Sequence, residues 1–231
     1  LELLLGNQQT YSTTSIGFVI APKINSFGRL PEFCSPNVLV KYFLKNAPRD
    51  FMVKVSQMAI SLNTKRQTMT NQQYEMAKEG MGDDFLYWSS DQVHEGLVGL
   101  IAGKYTREYE RPGFVMAYDE KKGLYKGSAR SIEGFSLHQF FMEHQDQFVV
   151  FGGHSLAGGF TVDEAHYDSC YQCIKEALKD LHLHPTTTVL HIDEQDIDIK
   201  NVESLSLLEP FGMSNEEPLY MLKDVPVSQI Q

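Results

Sequence analysis

The most regular feature of the chain is an apolar stripe at helical spacing. From Asp50 to Lys78 the positions Phe51, Val55, Met58, Leu62, Met69 and Met76 recur at steps of three, four or seven. That is the period of a helix showing one narrow apolar face. Asn46 with Pro48 supplies a start, and Gly80 with Gly82 a stop. A helix of roughly eight turns suits a bridge between two folded units. Before it, residues 1–45 predict a short helix, a loop, a buried strand over 16–21 and a helix around 38–44. After it the pattern alternates. Residues 85–88 are strand-like, and Leu97, Val98, Ile101 and Tyr105 mark a helix that stops before Arg111-Pro112. Residues 113–118 and 124–130 predict two strands joined by a turn over 119–123. A helix over 136–144, a strand over 160–162 and an amphipathic helix over 164–181 follow. Past Pro185 come a β-branched strand over 186–192, an acidic stretch, a short helix near 202–208 and a strand over 219–227. The class this predicts is α/β with a mixed sheet.

Composition narrows the picture only a little. The 231 residues, 42% hydrophobic, can bury one large or two small cores. No apolar run approaches the ~20 residues that span a bilayer, and no signal peptide opens the chain. Three cysteines make no disulfide framework, which points to a reducing cytoplasm and no membrane partner. The first residue is Leu1, so the expectation is a piece of a longer protein. A net charge of −10 argues against nucleic acid, but its distribution is uneven. Residues 23–66 carry eight Lys or Arg against Glu32 and Asp50, whereas residues 193–224 carry nine acids against Lys200 and Lys223. One phosphate-facing side and one solvated acidic side fit that asymmetry, and so does a bland soluble protein.

Four segments carry candidate chemistry. Residues 21–30 read Ala-Pro-Lys-Ile-Asn-Ser-Phe-Gly-Arg-Leu and put Lys23, Asn25 and Arg29 in a ten-residue loop. His94-Glu95-Gly96-Leu97-Val98-Gly99 opens a helix, where unpaired N–H groups favour an anion. Gly127-Ser128-Ala129-Arg130-Ser131 joins two hydroxyls to a guanidinium, whose planar fork matches phosphate oxygens. Residues 151–159 read Phe-Gly-Gly-His-Ser-Leu-Ala-Gly-Gly, and such glycines let a backbone approach a ligand or form N–H concavities. Alone, each is as well read as a surface arginine or a turn.

Taken together and in this order, the four resemble the second half of the RecJ exonuclease core, within the DHH phosphoesterase superfamily. The family pattern runs Ala-Pro-Arg-Ile-Asn-Ala-x-Gly-Arg-Leu, His-x-Gly-x-x-Gly, Gly-Ser-x-Arg-Ser and Gly-Gly-His-x-x-Ala-x-Gly. Residues 208–218, around Pro210-Phe211-Gly212, resemble the opening of its OB-fold domain. Lys23, Ser26-Phe27, Ser214 and Glu216 depart from the pattern, and Lys23 keeps the charge but loses the fork. The resemblance implies the tail of a DHH domain over 1–45, a linking helix over 46–82, a DHH-associated domain over 83–184 and the start of an OB-like β domain over 185–231. It implies Asn25, Arg29, His94, Ser128, Arg130, Ser131, Gly152, Gly153 and His154 as substrate-facing positions, with His154 a phosphate donor or an acid. No Asp-His-His occurs in the chain. The two divalent ions, Mn2+ or Mg2+, therefore belong to an upstream domain of the parent, with none expected in this piece. The implied parent is a 5′–3′ exonuclease on single-stranded DNA with a 5′ phosphate, acting in recombination and repair. A single-strand-binding protein or a helicase would be its partner. This piece alone would not cut.

Other readings compete. A phosphodiesterase of short oligonucleotides or cyclic dinucleotides is the nearest enzyme alternative, and a non-catalytic nucleic-acid-binding module is the nearest non-enzyme one. Gly153-His154-Ser155-Leu156-Ala157 approaches a nucleophile elbow, but poor helix material follows it. His166, Cys170 and Cys173 share a helical face at ligand spacing, although cysteines on an amphipathic helix usually fill a core. Asp196-Ile197-Asp198 reads as a solvated acidic edge, and His182 with His184 suit a helix end.

Overall fold

The computed structural model describes residues 1–6, 11–79, 81, 85–179, 189–212 and 215–223. A helical unit comes first: α1 (Glu2–Leu5), α2 (Thr13–Ser15), α3 (Ala21–Arg29), α4 (Val38–Tyr42) and the long α5 (Arg49–Lys78). The strand expected over 16–21 is absent. Ser12 and Ser15 form a reciprocal cap at 2.9 and 3.0 Å that starts a helix there, and a wide π-turn, Ile16–Ile20, carries it into α3. The β-branched run misleads because its residues do not share one environment. Phe18 is 80% exposed, while Ile20, Phe27 and Leu30 are buried at helical spacing. Pro22 has no N–H to give and sits in the first turn of α3, where none is needed. Residues 21–29 are therefore helix, not loop.

The α5 stripe holds over thirty residues, about 45 Å at the rise of a helix. Its buried positions Val55, Ala59, Leu62, Thr70, Tyr74 and Ala77 pack against α1, α3, α4 and α6. Gly80 and Gly82, expected to stop it, lie outside the described residues.

The sheet has five strands: β1 (Leu86–Ser90), β2 (Gly113–Asp119), β3 (Leu124–Arg130), β4 (Val150–Gly153) and β5 (Ala157–Asp163), in the order β1-β2-β3-β5-β4. Only β1 and β2 are parallel, so a crossover must join them, and α6 (Val98–Tyr109) provides it. The turn over 119–123 and both its strands stand as expected. Strand β4 was not foreseen, since its two glycines erase any alternation. It pairs Gly152 with Gly159 and Gly153 with Gly158.

Alternation along the strands assigns two faces. Phe114, Met116, Ala129, Phe160 and Val162 point to α7 (Leu137–Glu143) and α8 (Tyr167–Leu178) in one core. Val115 and Ala117 point the other way, into the core shared with α5 and α6. On that second face, their cross-strand partners on β3 are Ser128 and Lys126.

Further on, β6 (Val189–Ile192) pairs in parallel with β7 (Leu219–Leu222), with α9 (Ile199–Ser204) between them. His182 and His184, and the outer part of the strand expected to 227, lie outside the described residues. Among the described residues no helix is long and apolar enough to cross a membrane.

Candidate anion-binding cleft

Strand β3 ends with Lys126, Ser128 and Arg130 on the face turned to α6. Together with Arg29, Glu95, Gly96, Gly99 and Thr161 they line a cleft of about 410 Å³. Two glycines make room for it. A methyl on Gly96 would lie 2.0 Å from the Arg29 carbonyl oxygen, and one on Gly99 3.0 Å from both the Arg130 guanidinium and the Ser128 hydroxyl. Gly96 thus lets the backbone of Arg29 come close, and Gly99 gives clearance to two side chains. The N–H of Gly96 is already taken, donating to His94 Nδ1 at 3.0 Å, so it is not free for an anion.

Inside the cleft, Arg130 Nη1 donates to Ser128 Oγ at 2.8 Å and to the Ala129 carbonyl at 2.7 Å. Ser128 Oγ donates in turn to the Gly158 carbonyl at 3.2 Å. Arg29 Nη1 reaches across to the Gly96 carbonyl at 3.1 Å. Among the described residues each guanidinium, which carries five donors, keeps some of them unused. Burial holds Arg29 and Arg130 below the ordinary guanidinium value, and the positive charge of Arg29 lowers Arg130 further. Among the described residues neither makes an ion pair with a carboxylate. Like charges, half-buried and uncompensated, are costly unless an anion joins them. Lys126, at the edge, is neutralised by Glu95 at 3.2 Å.

The other sequence candidates fall in different places. His94 caps the turn before α6, and its Nε2 sits 3.0 Å from Glu32 Oε1; the cap bond requires a bare Nδ1, which puts the ring proton on Nε2. Ser131 turns away, its hydroxyl donating to the Phe135 carbonyl at 2.7 Å. Asn25 is exposed on α3, and Lys23 Nζ donates to the Leu4 carbonyl. Gly152, Gly153 and His154 are exposed at the β4–β5 hairpin, beyond the cleft lining. There the His154 N–H donates to the Ala157 carbonyl at 2.8 Å, closing a hairpin rather than an open N–H concavity. Gly153, at φ 147°, needs its glycine, since a Cβ would meet the Ala157 oxygen at 2.4 Å.

Arg66, on α5, is a further guanidinium near Arg29, but it does not line the cleft. Burial and the charge of Arg29 lower its guanidinium too. In sequence it occupies the turn between Leu62 and Met69, and it is half-buried.

The decoys resolve physically. Ser155 lies in the hairpin between β4 and β5, not at a strand-to-helix elbow. Cys170 is fully buried, its thiol pushed up to about 12 chiefly by that burial, which disfavours the thiolate a metal needs. His166 Nδ1 instead meets Asp163 Oδ1 at 2.7 Å. Asp196 and Asp198 accept backbone N–H bonds from Asp193 and Asn201, as helix-end caps do.

Comparison with known proteins bears on the same residues. Residues 82–182 match the DHHA1 domain, and residues 190–231 the RecJ OB domain. The two domain matches thus follow one another along the chain. It is 29% identical over 227 residues to the single-stranded-DNA-specific exonuclease RecJ of Bacillus subtilis, which covers 94% of this chain and 28% of that protein. The RecJ of Haemophilus influenzae is 25% identical over 240 residues, covering 95% and 40%. The RecJ of Thermus thermophilus in complex with Mn2+ has the same fold, with a TM-score of 0.79 at 25% identity over 92% of this chain and 32% of that one. The chain thus spans well under half the length of the RecJ proteins it matches.

RecJ structures are solved with Mg2+ or Mn2+. The residues described here do not fit such an ion. No three His, Cys, Asp or Glu side chains converge among them, and the cleft presents guanidinium groups that would repel a cation.

Proposed function

We propose that this RecJ chain is the substrate-gripping part of a metal-dependent exonuclease on single-stranded DNA, and that the cleft between α3, α6 and β3 holds a phosphate of the strand. The observation carrying this reading is the juxtaposition of Arg29 and Arg130, half-buried and without a carboxylate partner among the described residues. Ser128 lines the same cleft, its hydroxyl accepting from Arg130 and donating to the Gly158 carbonyl. A phosphate oxygen accepting from both guanidiniums would relieve their mutual repulsion and satisfy the forks.

In this reading residues 1–45 continue the catalytic domain, 46–82 link it to the DHH-associated domain over 83–184, and the OB domain begins at 185. Mn2+ or Mg2+ would be bound outside this chain and would supply the water-activating chemistry there. Asn25, His94, Ser131, Gly152, Gly153 and His154 are then outer or structural parts of the substrate path. The hairpin at His154 would meet the strand beyond the phosphate. The parent would act 5′ to 3′ on 5′-phosphorylated strands during recombination and repair in the cytoplasm, with a single-strand-binding protein or a helicase as partner.

The test pairs a nuclease assay in Mn2+ with fluorescence anisotropy across salt, both on 5′-phosphorylated oligothymidylate. Residues 1–231 should not cleave, and should bind weakly with a steep salt dependence. Arg130→Gln should lose about tenfold or more in affinity at low salt. Robust metal-dependent cleavage by this chain alone would sink the division of labour.

A further inference from the structure

We infer that Glu32, in the turn that follows α3, is a positioning residue for the anion-binding cleft. Through the His94 ring it sets the Gly96 backbone against which the Arg29 guanidinium is braced. This rests on the phosphate reading above and adds to it a residue outside the cleft lining.

A closed circuit of hydrogen bonds carries the inference. Arg29 ends α3 and Glu32 lies three positions on, so one short piece of backbone supplies both. Glu32 Oε1 lies 3.0 Å from His94 Nε2. His94 Nδ1 accepts from the Gly96 N–H at 3.0 Å, and the Gly96 carbonyl accepts from Arg29 Nη1 at 3.1 Å. Gly96 is thus held at its N–H by way of Glu32 and at its carbonyl by Arg29, and it lines the cleft beside Arg29. Helix α5 holds the same segment as well. Gln73 Oε1 accepts from the His94 N–H at 3.3 Å, and Gln73 Nε2 donates to the Gln92 carbonyl at 3.2 Å.

The protonation pattern separates positioning from ion pairing. A carboxylate near a cleft built for an anion works against that anion by its charge. The ring that Glu32 faces carries one proton, on Nε2, because Nδ1 is taken up as an acceptor. The contact is therefore a hydrogen bond from a neutral imidazole, and it selects the Nε2–H tautomer. In the other tautomer Nδ1 would turn an N–H toward the Gly96 N–H, and the brace would open. Glutamine at position 32 could accept the same bond without the charge.

The test measures anisotropy of 5′-phosphorylated oligothymidylate at low salt for wild type, Glu32→Ala, Glu32→Gln, His94→Asn, the Glu32→Ala/His94→Asn double variant and Arg130→Gln. Melting temperatures and long-range proton–nitrogen NMR spectra of the imidazoles are recorded alongside. Glu32→Ala should lose about fivefold in affinity. It should melt within about 3 °C of wild type, because both side chains of the pair are partly exposed. Its His94 ring should pass from the single Nε2–H form to a mixture of tautomers. Glu32→Gln should keep that form and stay within about twofold in affinity. His94→Asn retains a cap for Gly96 but cannot reach Glu32, so it should also lose about fivefold. The double variant should be no weaker than either single one. Affinity unchanged in folded Glu32→Ala, an equal loss in Glu32→Gln, or additive losses in the double variant overturns the inference. If Glu32→Ala does not fold, weaker binding by His94→Asn than by Glu32→Gln supports it, and equal binding overturns it. If Arg130→Gln weakens binding and Glu32→Ala does not, the cleft stands and the positioning role falls. If neither weakens it, both readings fall together.

Discussion

On one face of the five-stranded sheet, Phe114, Phe151 and Phe160 meet Phe140, Phe141 and Phe148, ring against ring at centroid distances of 5.0 to 6.2 Å. On the other, β3 turns Ser128 and Arg130 toward an α6 stripped to Gly99 and Gly103. The same strands serve both faces, one residue apart. The aromatic face has no slack: a Cβ on Gly127 would lie 2.5 Å from the Phe160 ring, and one on Gly158 2.6 Å from the Phe141 ring. The arginine face keeps a cleft that no side chain of its own fills. On the proposed phosphate reading, stability and recognition divide between the two sides of one backbone, and substitutions on each side should have separable effects.

The largest expected effect is on the filled face. Phe141→Ala should cost about 3–5 kcal/mol in urea denaturation, while the folded variant keeps its preference for a phosphorylated strand. A loss of that preference without a loss of stability would break the division. Next comes Gly96→Ala, where the clash is with the backbone of Arg29 and cannot be relieved by a rotamer. It should cost about 2–3 kcal/mol and weaken phosphate binding as well, because Arg29 must shift. A third effect belongs to high pH. Burial raises the Cys170 thiol to about 12 and the Tyr87 hydroxyl beyond the ordinary tyrosine range. Both neutral groups favour the folded state, so their contribution is complete below the unfolded values and shrinks as pH rises through the thiol range. The loss from Cys170 should reach about 1–2 kcal/mol by pH 10, and Cys170→Ala should flatten that limb of the stability profile. Smallest is Gly99→Ala. Its methyl would press on the movable end of Arg130, so stability should change by under about 1 kcal/mol and strand affinity by a few-fold.

What was legible in the sequence had a strong period or a strong motif. The stripe of α5, the β2–β3 hairpin and the α8 face were read because their apolar residues repeat at the spacing of their element. The residues at 16–21 were misread because β-branched side chains also occur in helices when a cap starts one, and the Ser12–Ser15 cap is spread over four unremarkable residues. Strand β4 escaped because glycine carries no hydropathy signal, and its pairing with β5 is decided by the hairpin at residues 154–156. Of the site, Arg29, Ser128 and Arg130 were found from motif resemblance, and the structure brings these three into one cleft. His94 and Ser131 share those motifs but serve local structure, a distinction that needs to know where their side chains point.

The meeting of Arg29 and Arg130 in one cleft has a mechanical consequence. Arg29 comes from α3 and Arg130 from β3, so helical unit and sheet each line the same cleft. An anion held there would act as a removable rivet between them, stiffening a joint that is under electrostatic tension when empty. Capture of a strand end and locking of the joint would then be one event.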